Sequence, residues 1–161
     1  MVVLIVTCPP GREGDAILEL EWALDRVRVR GTDWRGLLVV ESSLPKSEAI
    51  ERLKRFETQA IQRVVPLDLI VQASPEGIEA AALELMRDKT GTFAVRARVR
   101  GNKKLKGMEL ERKIGGAIVR AYGLRVNLTD PDWTLAIEVL GKKAGVGVLG
   151  RGEVLKFEVA D

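Results

Sequence analysis

The sequence contains no histidine and a single cysteine, Cys8, among its 161 residues. Without histidine, the chain lacks the commonest general base, the commonest metal ligand and every Ser-His or Cys-His nucleophile pair. One cysteine can neither form an internal disulfide nor build a zinc site. We therefore expect no catalytic residues, no metal site and no cofactor, and we expect Cys8 to be an inert thiol that is buried or half-buried.

Long apolar runs are also missing. The runs at residues 2–6 and 37–40 have the length of strands, far below the roughly 18–20 residues that span a membrane. The N-terminus has neither a basic flank nor a small-residue cleavage site, so we expect no secretory signal, no membrane contact and a cytoplasmic location. Hydrophobic residues still make up 46% of the chain, which is enough to predict a packed core.

Basic residues are distributed unevenly along the chain. The sequence holds 26 Lys and Arg against 23 Asp and Glu, a net charge of +3. Residues 1–73 have a net charge of −1, whereas residues 92–126 hold ten basic and two acidic residues. Such a local excess is typical of a protein that binds a polyanion. The alternative is a solvated, ion-pair-rich surface of the kind that heat-adapted proteins carry.

The first 73 residues predict the order strand, helix, strand, strand, helix, strand. The pattern predicts strands at residues 2–7, 27–30 and 37–41, a last extended segment at residues 61–71, one helix at residues 13–24 and another starting at Ser43 or Ser47. This order is the ferredoxin-like arrangement, in which two helices cover one face of the sheet. We therefore expect an N-terminal ferredoxin-like domain over residues 1–73.

A second α/β domain is predicted over residues 74–161, so the fold class is α+β. It begins with a helix that Ser74 caps and Pro75 opens, and that ends near residue 89. The remaining elements are predicted as a strand at 93–100, a helix at 109–122, strands at 125–128 and 133–140, and a hairpin at 141–143 leading into extended segments at 146–149 and 154–159.

Arginines alternate with apolar residues along the predicted strand at residues 93–100. Because alternate side chains of a strand face opposite sides, the apolar residues at positions 93, 95, 97 and 99 are expected to face the core. Arg96, Arg98 and Arg100 then share the other face, about 6.6–7 Å apart. This spacing is close to that of successive phosphates on an extended nucleic-acid strand. The alternative is a solvated edge strand whose charges discourage aggregation.

A basic loop with a glycine at each end follows this strand, at residues 101–107. Binding to phosphates here is expected to depend strongly on salt, because each neutralised phosphate releases counterions. Aromatic residues are only 4% of the chain, so we expect recognition of RNA shape and backbone more than base stacking. The expected phosphate contacts are Arg96, Arg98, Arg100, Lys103, Lys104 and Lys106, with Asn102 as a sugar or base contact and Lys113, Lys142 and Lys143 as further contacts.

Two glycine motifs need separate interpretations. Gly115 and Gly116 lie inside a predicted helix, where each costs about 1 kcal/mol relative to alanine. We expect a close approach by another backbone, either that of the sheet or that of RNA, to compensate for this cost in helix stability.

Residues 145–150 match the dinucleotide pattern GxGxxG, but a strand is predicted after them where that pattern requires a helix. We therefore expect no nucleotide site there.

Three segments together resemble the THUMP domain family: residues 93–100 (FAVRARVR), 109–115 (ELERKIG) and 126–132 (VNLTDPD). The resemblance covers about residues 74–161. Residues 7–16 and 36–41 are similar to the archaeal THUMP proteins that are related to the eukaryotic tRNA-acetylation adaptor.

The resemblance implies a tRNA-binding adaptor that is not itself an enzyme. Its expected partners are the acceptor end of tRNA and a separate tRNA-modifying enzyme, with cytidine acetylation as the implied chemistry. The alternative function is a scaffold that docks a partner protein through residues 1–73 and does not bind RNA directly.

Overall fold

The computed structural model describes residues 1–160, which contain four helices and ten strands. In chain order these elements are β1 (Val2–Thr7), α1 (Glu13–Leu24), β2 (Val27–Gly31), β3 (Leu37–Ser42), α2 (Lys46–Arg55), β4 (Arg63–Leu67), β5 (Leu69–Gln72), α3 (Pro75–Met86), β6 (Thr92–Arg100), α4 (Gly107–Tyr122), β7 (Arg125–Val126), β8 (Trp133–Leu140), β9 (Lys143–Gly150) and β10 (Leu155–Lys156). They form two units, one made of Met1–Pro66 and the segment from Glu153, the other of Leu67–Gly152.

The first unit contains a five-stranded sheet in the order β10-β4-β1-β3-β2. β3 is antiparallel to both of its neighbours, β1 and β2. Alternate apolar side chains of the strands, such as Leu4 and Val40, pack against Leu20 of α1 and Leu53 of α2 to form one core. The element order that the sequence predicts for these residues is therefore confirmed.

A buried carboxylate fixes the segment that enters β4. Glu19 lies on α1 and is only 8% exposed. Its Oε1 accepts hydrogen bonds from the backbone N–H groups of Ala60 and Ile61, at 2.9 and 3.3 Å. Because buried polar groups are costly unless they are hydrogen-bonded, these bonds explain how a glutamate is tolerated in the core of this unit.

The second unit contains a five-stranded sheet in the order β5-β9-β8-β6-β7. β6 runs parallel to β7 and β8, whereas β9 is antiparallel to β8 and β5. α3 and α4 supply Ile78, Met86, Ile114 and Ile118 to a core that also contains Phe93. β7 is two residues long, shorter than the predicted strand, so most of the outer edge of β6 has no strand beside it.

The helix ends of this unit follow the local sequence. Ser74 Oγ accepts a hydrogen bond of 3.0 Å from Gly77 N, and Pro75 opens α3, as predicted. α4 ends at Gly123, which has a φ of 68°, also as predicted. In the first unit, α2 begins at Lys46 after Pro45 and has no side-chain cap, so the serine caps predicted for it are not observed.

The division between the units lies before the boundary predicted at residues 73 and 74. The predicted extended segment at residues 61–71 is two strands that belong to different sheets. β4 lies in the sheet of the first unit, whereas β5 pairs with β9, and Asp68 N donates to Val146 O at 2.9 Å. Leu69 pairs with Val146, which lies 77 residues further along the chain, and such distant pairing cannot be seen in local sequence patterns.

The last strand also differs from the prediction. Residues 154–159 were expected to extend the second domain, but β10 pairs antiparallel with β4, with Leu155 opposite Val64. Phe157 N then donates to Gln62 O at 2.8 Å, and Leu155 is buried in the core of the first unit. The chain therefore leaves the first unit after β4 and returns to it at its last strand.

The GxGxxG segment and Cys8, where the sequence predicts no functional site, both lie inside the fold. The GxGxxG segment at residues 145–150 lies within β9, with no helix directly after it. Cys8 is 3% exposed, and burial is the main cause that raises the pKa of its thiol. A buried thiol with a raised pKa is a poor nucleophile, so the inert role predicted for Cys8 is consistent with its environment.

Within residues 1–160, no helix has the length and apolar character needed to cross a membrane.

Candidate nucleic-acid interface

The arginines of β6 lie on the sheet face that points away from the core. Phe93 and Val95 are buried in that core, as the alternating pattern predicts, and Ala97 and Val99 pack against it. Arg96 and Arg98 are exposed, whereas Arg100 is half-buried. The predicted row of arginines therefore exists, with two of its three side chains open to solvent.

The three arginines differ in their surroundings. Arg96 Nη2 donates a hydrogen bond of 2.7 Å to Leu128 O, which holds the segment after β7 beside β6. Arg98 has no ion-pair partner among residues 1–160. Arg100 Nη1 is buried and has no hydrogen-bond partner among the described residues. Arg98 is therefore the arginine of this row whose guanidinium is best placed for an external anion.

A buried glutamate lies next to the arginine row. Glu138 on β8 is the register partner of Arg98 on β6 and is only 3% exposed. Burial raises the pKa of Glu138 to about 7, although Arg100 and Arg98 act to lower it. Near neutral pH the carboxyl group is therefore partly protonated, and it neutralises only part of the positive charge of this face.

The basic loop after β6 is fixed by Asn102. Its Nδ2 donates to Gly141 O at 3.0 Å, and its Oδ1 accepts hydrogen bonds from the backbone N–H groups of Lys104 and Leu105. Leu105 is buried in the core of the second unit. The side chain of Asn102, expected to contact a sugar or base, is thus engaged within the protein and holds the loop in place.

This loop and the β8–β9 hairpin together form a concave, lysine-rich pocket. Both loops turn at glycines with positive φ, Gly101 at 70° and Gly141 at 62°. Gly141 N donates to Arg100 O at 2.8 Å, and Ala73 N donates to Lys142 O at 2.9 Å. The pocket measures about 650 Å³. We call it the lysine cup, and its charged side chains are Lys103, Lys104, Lys142 and Lys143.

The charges of the lysine cup are not neutralised. All four lysines are exposed, and none has an ion pair with a carboxylate of residues 1–160. No Asp or Glu is among the residues that line the cup in the described part of the chain. The cup therefore brings together two pairs of lysines that lie about 40 residues apart in the sequence.

The other predicted lysines lie outside the cup. Lys106 is exposed at the residue before α4, and Lys113 is exposed on α4 itself. Neither lines the lysine cup. The structure thus brings together four of the lysines proposed from the sequence.

A groove between α4 and β6 was not predicted from the sequence. It measures about 330 Å³ and ends beside Arg96, the first arginine of the row. Its apolar wall includes Met108, Val126 and Leu128, which are 74%, 50% and 63% exposed. The full set of lining residues, called the α4 groove below, is Phe93, Val95, Arg96, Met108, Glu111, Arg112, Gly115, Val126 and Leu128.

Two local features could have indicated this groove. Met108 is an apolar residue outside the buried stripe of α4, and Leu128 is an apolar residue between short polar segments. Their meeting depends on the path of residues 125–130 beside β6, which the Arg96 hydrogen bond to Leu128 O stabilises. The spacing of residues in the sequence does not show that these two side chains line the same groove, because they belong to distant segments.

Gly115 contributes an open wall to the α4 groove. A Cβ at this position would meet only Val95 Cγ2, at 3.9 Å, which is an ordinary contact distance. At Gly116 the nearest atom would be Arg120 Nη1, at 3.1 Å. The expected close approach of the sheet backbone to these glycines is therefore not observed. Glycine at position 115 keeps the groove wide rather than admitting a neighbouring strand.

Residues 72–149 match the family model of the THUMP domain. The match coincides with the unit that contains the arginine row, the lysine cup and the α4 groove. The second unit of this protein is therefore a THUMP domain.

Curated relatives modify tRNA. The tRNA (guanine(6)-N2)-methyltransferase of Thermus thermophilus is 37% identical over 84 residues, which are 50% of this chain and 25% of that protein. The tRNA sulfurtransferase of Vibrio parahaemolyticus is 35% identical over 106 residues, which are 64% of this chain and 22% of that protein. The chain thus spans about a quarter of the length of these relatives.

Solved structures share the fold over nearly the whole chain. PH1313 from Pyrococcus horikoshii has a TM-score of 0.74 at 25% identity, covering 98% of this chain and 56% of that one. TrmN from Thermus thermophilus has a TM-score of 0.71 at 26% identity, covering 92% of this chain and 45% of that one. A 4-thiouridine synthetase in complex with RNA and ATP shares the fold, with a TM-score of 0.63 at 19% identity and coverage of 92% and 41%.

Proposed function

We propose that this protein binds tRNA through its THUMP domain and presents the acceptor end to a separate modification enzyme. The observation that carries the proposal is the set of exposed cations on β6 and on the loops beside it, namely Arg96, Arg98 and the four lysines of the lysine cup. Phosphate contacts of this kind supply most of the affinity of proteins for nucleic acids. The tRNA methyltransferase and the tRNA sulfurtransferases that are 31–37% identical to parts of this chain add support for tRNA as the ligand.

The α4 groove supports a role in holding an unpaired nucleotide. Met108, Val126 and Leu128 offer apolar surface to a base, while Arg96 and Arg112 offer charge to its phosphate. Its volume of about 330 Å³ falls within the usual range of about 300–1,000 Å³ for small-ligand sites. In this arrangement the α4 groove would hold the unpaired end of the RNA, and the neighbouring arginines of β6 would contact the phosphates of the adjoining stem.

The proposed adaptor role also requires that another protein carries out the modification reaction. The surfaces described above supply cations and apolar contacts, and the chain contains no histidine to act as a general base. We propose that a partner enzyme supplies catalysis. The resemblance to tRNA-acetylation adaptors makes a cytidine acetyltransferase the first partner to test, by the gain in acetylation when this protein is added.

The first unit is proposed to be a ferredoxin-like domain. Four of its strands follow the order β4-β1-β3-β2, and two helices connect them in the sequence β1-α1-β2-β3-α2-β4. β10 adds a fifth strand at the outer side of β4.

The alternative function is a protein scaffold that uses the first unit. It is favoured by Trp22, which is 69% exposed on α1 and lines a shallow pocket with Phe56. Exposed tryptophans are common anchors of protein interfaces. Arg52 and Arg55 in the same pocket form ion pairs with Glu48 and Glu51, so this surface is less suited to RNA than the lysine cup.

The double substitution Arg98→Ala with Lys104→Ala tests the proposed RNA surface. Both side chains are exposed and lack ion pairs within residues 1–160, so their removal should leave the fold intact. We expect weaker tRNA binding and a slope of log Kobs against log salt that is less steep by about two. Fluorescence anisotropy with labelled tRNA over a salt series measures both quantities.

A matched control removes two charges elsewhere. Lys54→Ala with Arg87→Ala makes the same change in net charge at exposed positions outside the proposed surface. We expect this control to bind tRNA with nearly the original affinity and slope. Equal losses in both double variants would contradict the site, and failure of the unaltered protein to retain tRNA at low salt would favour the scaffold function.

A further inference from the structure

The lysine cup concentrates more charge than one internal phosphate of RNA needs. Its four ammonium groups repel one another, and no carboxylate of residues 1–160 pairs with them. An internal phosphodiester carries a single negative charge, whereas a phosphate monoester carries about −1.5 to −2 at pH 7. The cup is therefore better matched to a terminal phosphate than to one phosphate of a continuous backbone.

The shape of the cup also suits the end of a chain. Three segments line it, at residues 72–74, 101–104 and 141–143. Asn102 Nδ2 to Gly141 O and Ala73 N to Lys142 O tie these segments together at 3.0 and 2.9 Å. Arg96 and Arg98, by contrast, lie on an extended strand that can follow successive phosphates. The protein thus offers a linear track that ends in a concave, positively charged pocket.

The position of the cup relative to the α4 groove fits the end of a base-paired stem. The groove includes Arg96, and the cup begins at Gly101, five residues further along β6 and its following loop. At about 3.3 Å per residue this separation is about 17 Å. In a stem with an unpaired 3′ extension, the 5′ terminal phosphate lies at the same end as the extension. One site can therefore hold the unpaired nucleotides while the other meets the 5′ end.

We propose that the lysine cup recognises the 5′ terminal monophosphate of the bound RNA. This inference rests on the proposed tRNA-binding function and specifies the chemical group that one part of the surface binds. Lys103 and Lys104 approach this phosphate from one loop, and Lys142 and Lys143 approach it from the β8–β9 hairpin.

The test uses one stem RNA with an unpaired 3′ extension, prepared in three forms. The first form has a 5′ monophosphate, the second has a 5′ hydroxyl, and the third has a 5′ hydroxyl with a 3′ monophosphate. The third form keeps the total charge of the first and moves the terminal phosphate to the other strand end. We expect the first form to bind about five- to tenfold more tightly than the other two, measured by anisotropy at fixed salt.

The double variant Lys103→Ala with Lys142→Ala tests whether the cup causes this preference. One lysine is removed from each loop, and both are exposed, so the hydrogen bonds of Asn102 and Gly141 are kept. We expect this variant to bind all three RNAs with similar, reduced affinity. The control Lys54→Ala with Arg87→Ala is expected to keep the preference for the 5′ monophosphate.

The outcomes separate this inference from the function on which it rests. Equal binding of the 5′-phosphorylated and 5′-hydroxyl RNAs overturns the inference and leaves tRNA binding intact. Equal binding of the 5′- and 3′-phosphorylated RNAs also overturns it, because total charge alone would then explain the effect. Absence of binding to every RNA form and to whole tRNA at low salt overturns the proposed function itself.

Discussion

Glu138 shows how one buried residue can make the stability of this protein depend on pH. Its carboxyl group is 3% exposed, and its Oε2 has no hydrogen-bond partner among residues 1–160. Burial raises its pKa from 4.5 to about 7. A carboxyl whose pKa is raised by folding favours the native state when protonated, so its contribution is complete below about pH 4.5 and is lost as pH rises through 7.

We predict that Glu138→Gln removes this pH dependence. Glutamine keeps a similar shape and cannot ionise, so the variant should match the original protein near pH 4. At pH 8 it should be more stable, by at most about 3 kcal/mol. Urea unfolding followed by tryptophan fluorescence at both pH values measures the difference in the free energy of unfolding.

A matched control for this prediction is Glu84→Gln, which changes an exposed carboxylate on α3 of the same unit. This variant keeps Glu138, so its free energy of unfolding should fall between the two pH values as that of the original protein does, and the two proteins should differ little at either pH. A Glu138→Gln variant that loses stability at pH 8 would mean that the ionised carboxylate supports the fold through Arg98 and Arg100.

At the scale of single elements, α4 carries a cost in helix stability at Gly115. Gly115 lies in the middle of the helix, and a Cβ there would make only an ordinary contact with Val95. The sheet therefore does not require glycine at this position. The remaining explanation from the sequence is close approach by RNA, and Gly115 does line the groove proposed to hold a nucleotide.

We predict that Gly115→Ala separates stability from binding. The change should raise the free energy of unfolding by up to about 1 kcal/mol, because alanine is the better helix former. At the same time the added methyl group should narrow the groove and weaken binding of RNA with an unpaired 3′ extension. Urea unfolding and anisotropy on the same preparation measure the two effects.

The comparison for this variant is Gly14→Ala on α1, where a Cβ would meet no atom within 4 Å. It should stabilise the protein and leave RNA affinity unchanged. Full RNA affinity in Gly115→Ala would remove the α4 groove from the proposed interface.

The sequence predicts elements well where local chemistry decides them. Alternation along β6 predicted which side chains enter the core, and Ser74, Pro75 and Gly123 predicted where helices begin and end. The THUMP domain was also predicted, from three short segments of the second half, and the match at residues 72–149 confirms it.

The predictions were weaker where distant segments meet. The splitting of residues 61–71 into β4 and β5 depends on pairing with β10 and β9, which local patterns do not specify. The α4 groove depends on Met108 and Leu128 meeting across separate elements. Asn102 is predicted from the sequence as a sugar or base contact, and the hydrogen bonds of its side chain within the protein become visible only in three dimensions.

At the scale of the whole molecule, the last strand belongs to the unit in which the chain began. β10 pairs with β4, and Leu155 is 4% exposed in the core that Leu4 and Leu20 share. Residues 153–160 therefore belong to the first unit, although they follow the THUMP domain in sequence.

We predict that Leu155→Ala destabilises the first unit selectively. Truncating a buried leucine to alanine costs about 2–5 kcal/mol. Hydrogen exchange followed by mass spectrometry should show lost protection in β1 and β4 and nearly unchanged protection in β6 and β8. The control Leu18→Ala removes a leucine that is 46% exposed on α1 and should have a much smaller effect. Equal loss of protection in both units would contradict the prediction.

The late return of β10 has a consequence for biosynthesis. A ribosome releases the chain from its N-terminus, so β1 to β4 emerge long before the strand that completes their sheet. Residues 67–152, in contrast, contain every strand of their own sheet. The first four strands of the first unit therefore wait, throughout synthesis of the THUMP domain, for the edge strand that completes their sheet, so this sheet cannot be complete before the THUMP domain has been made.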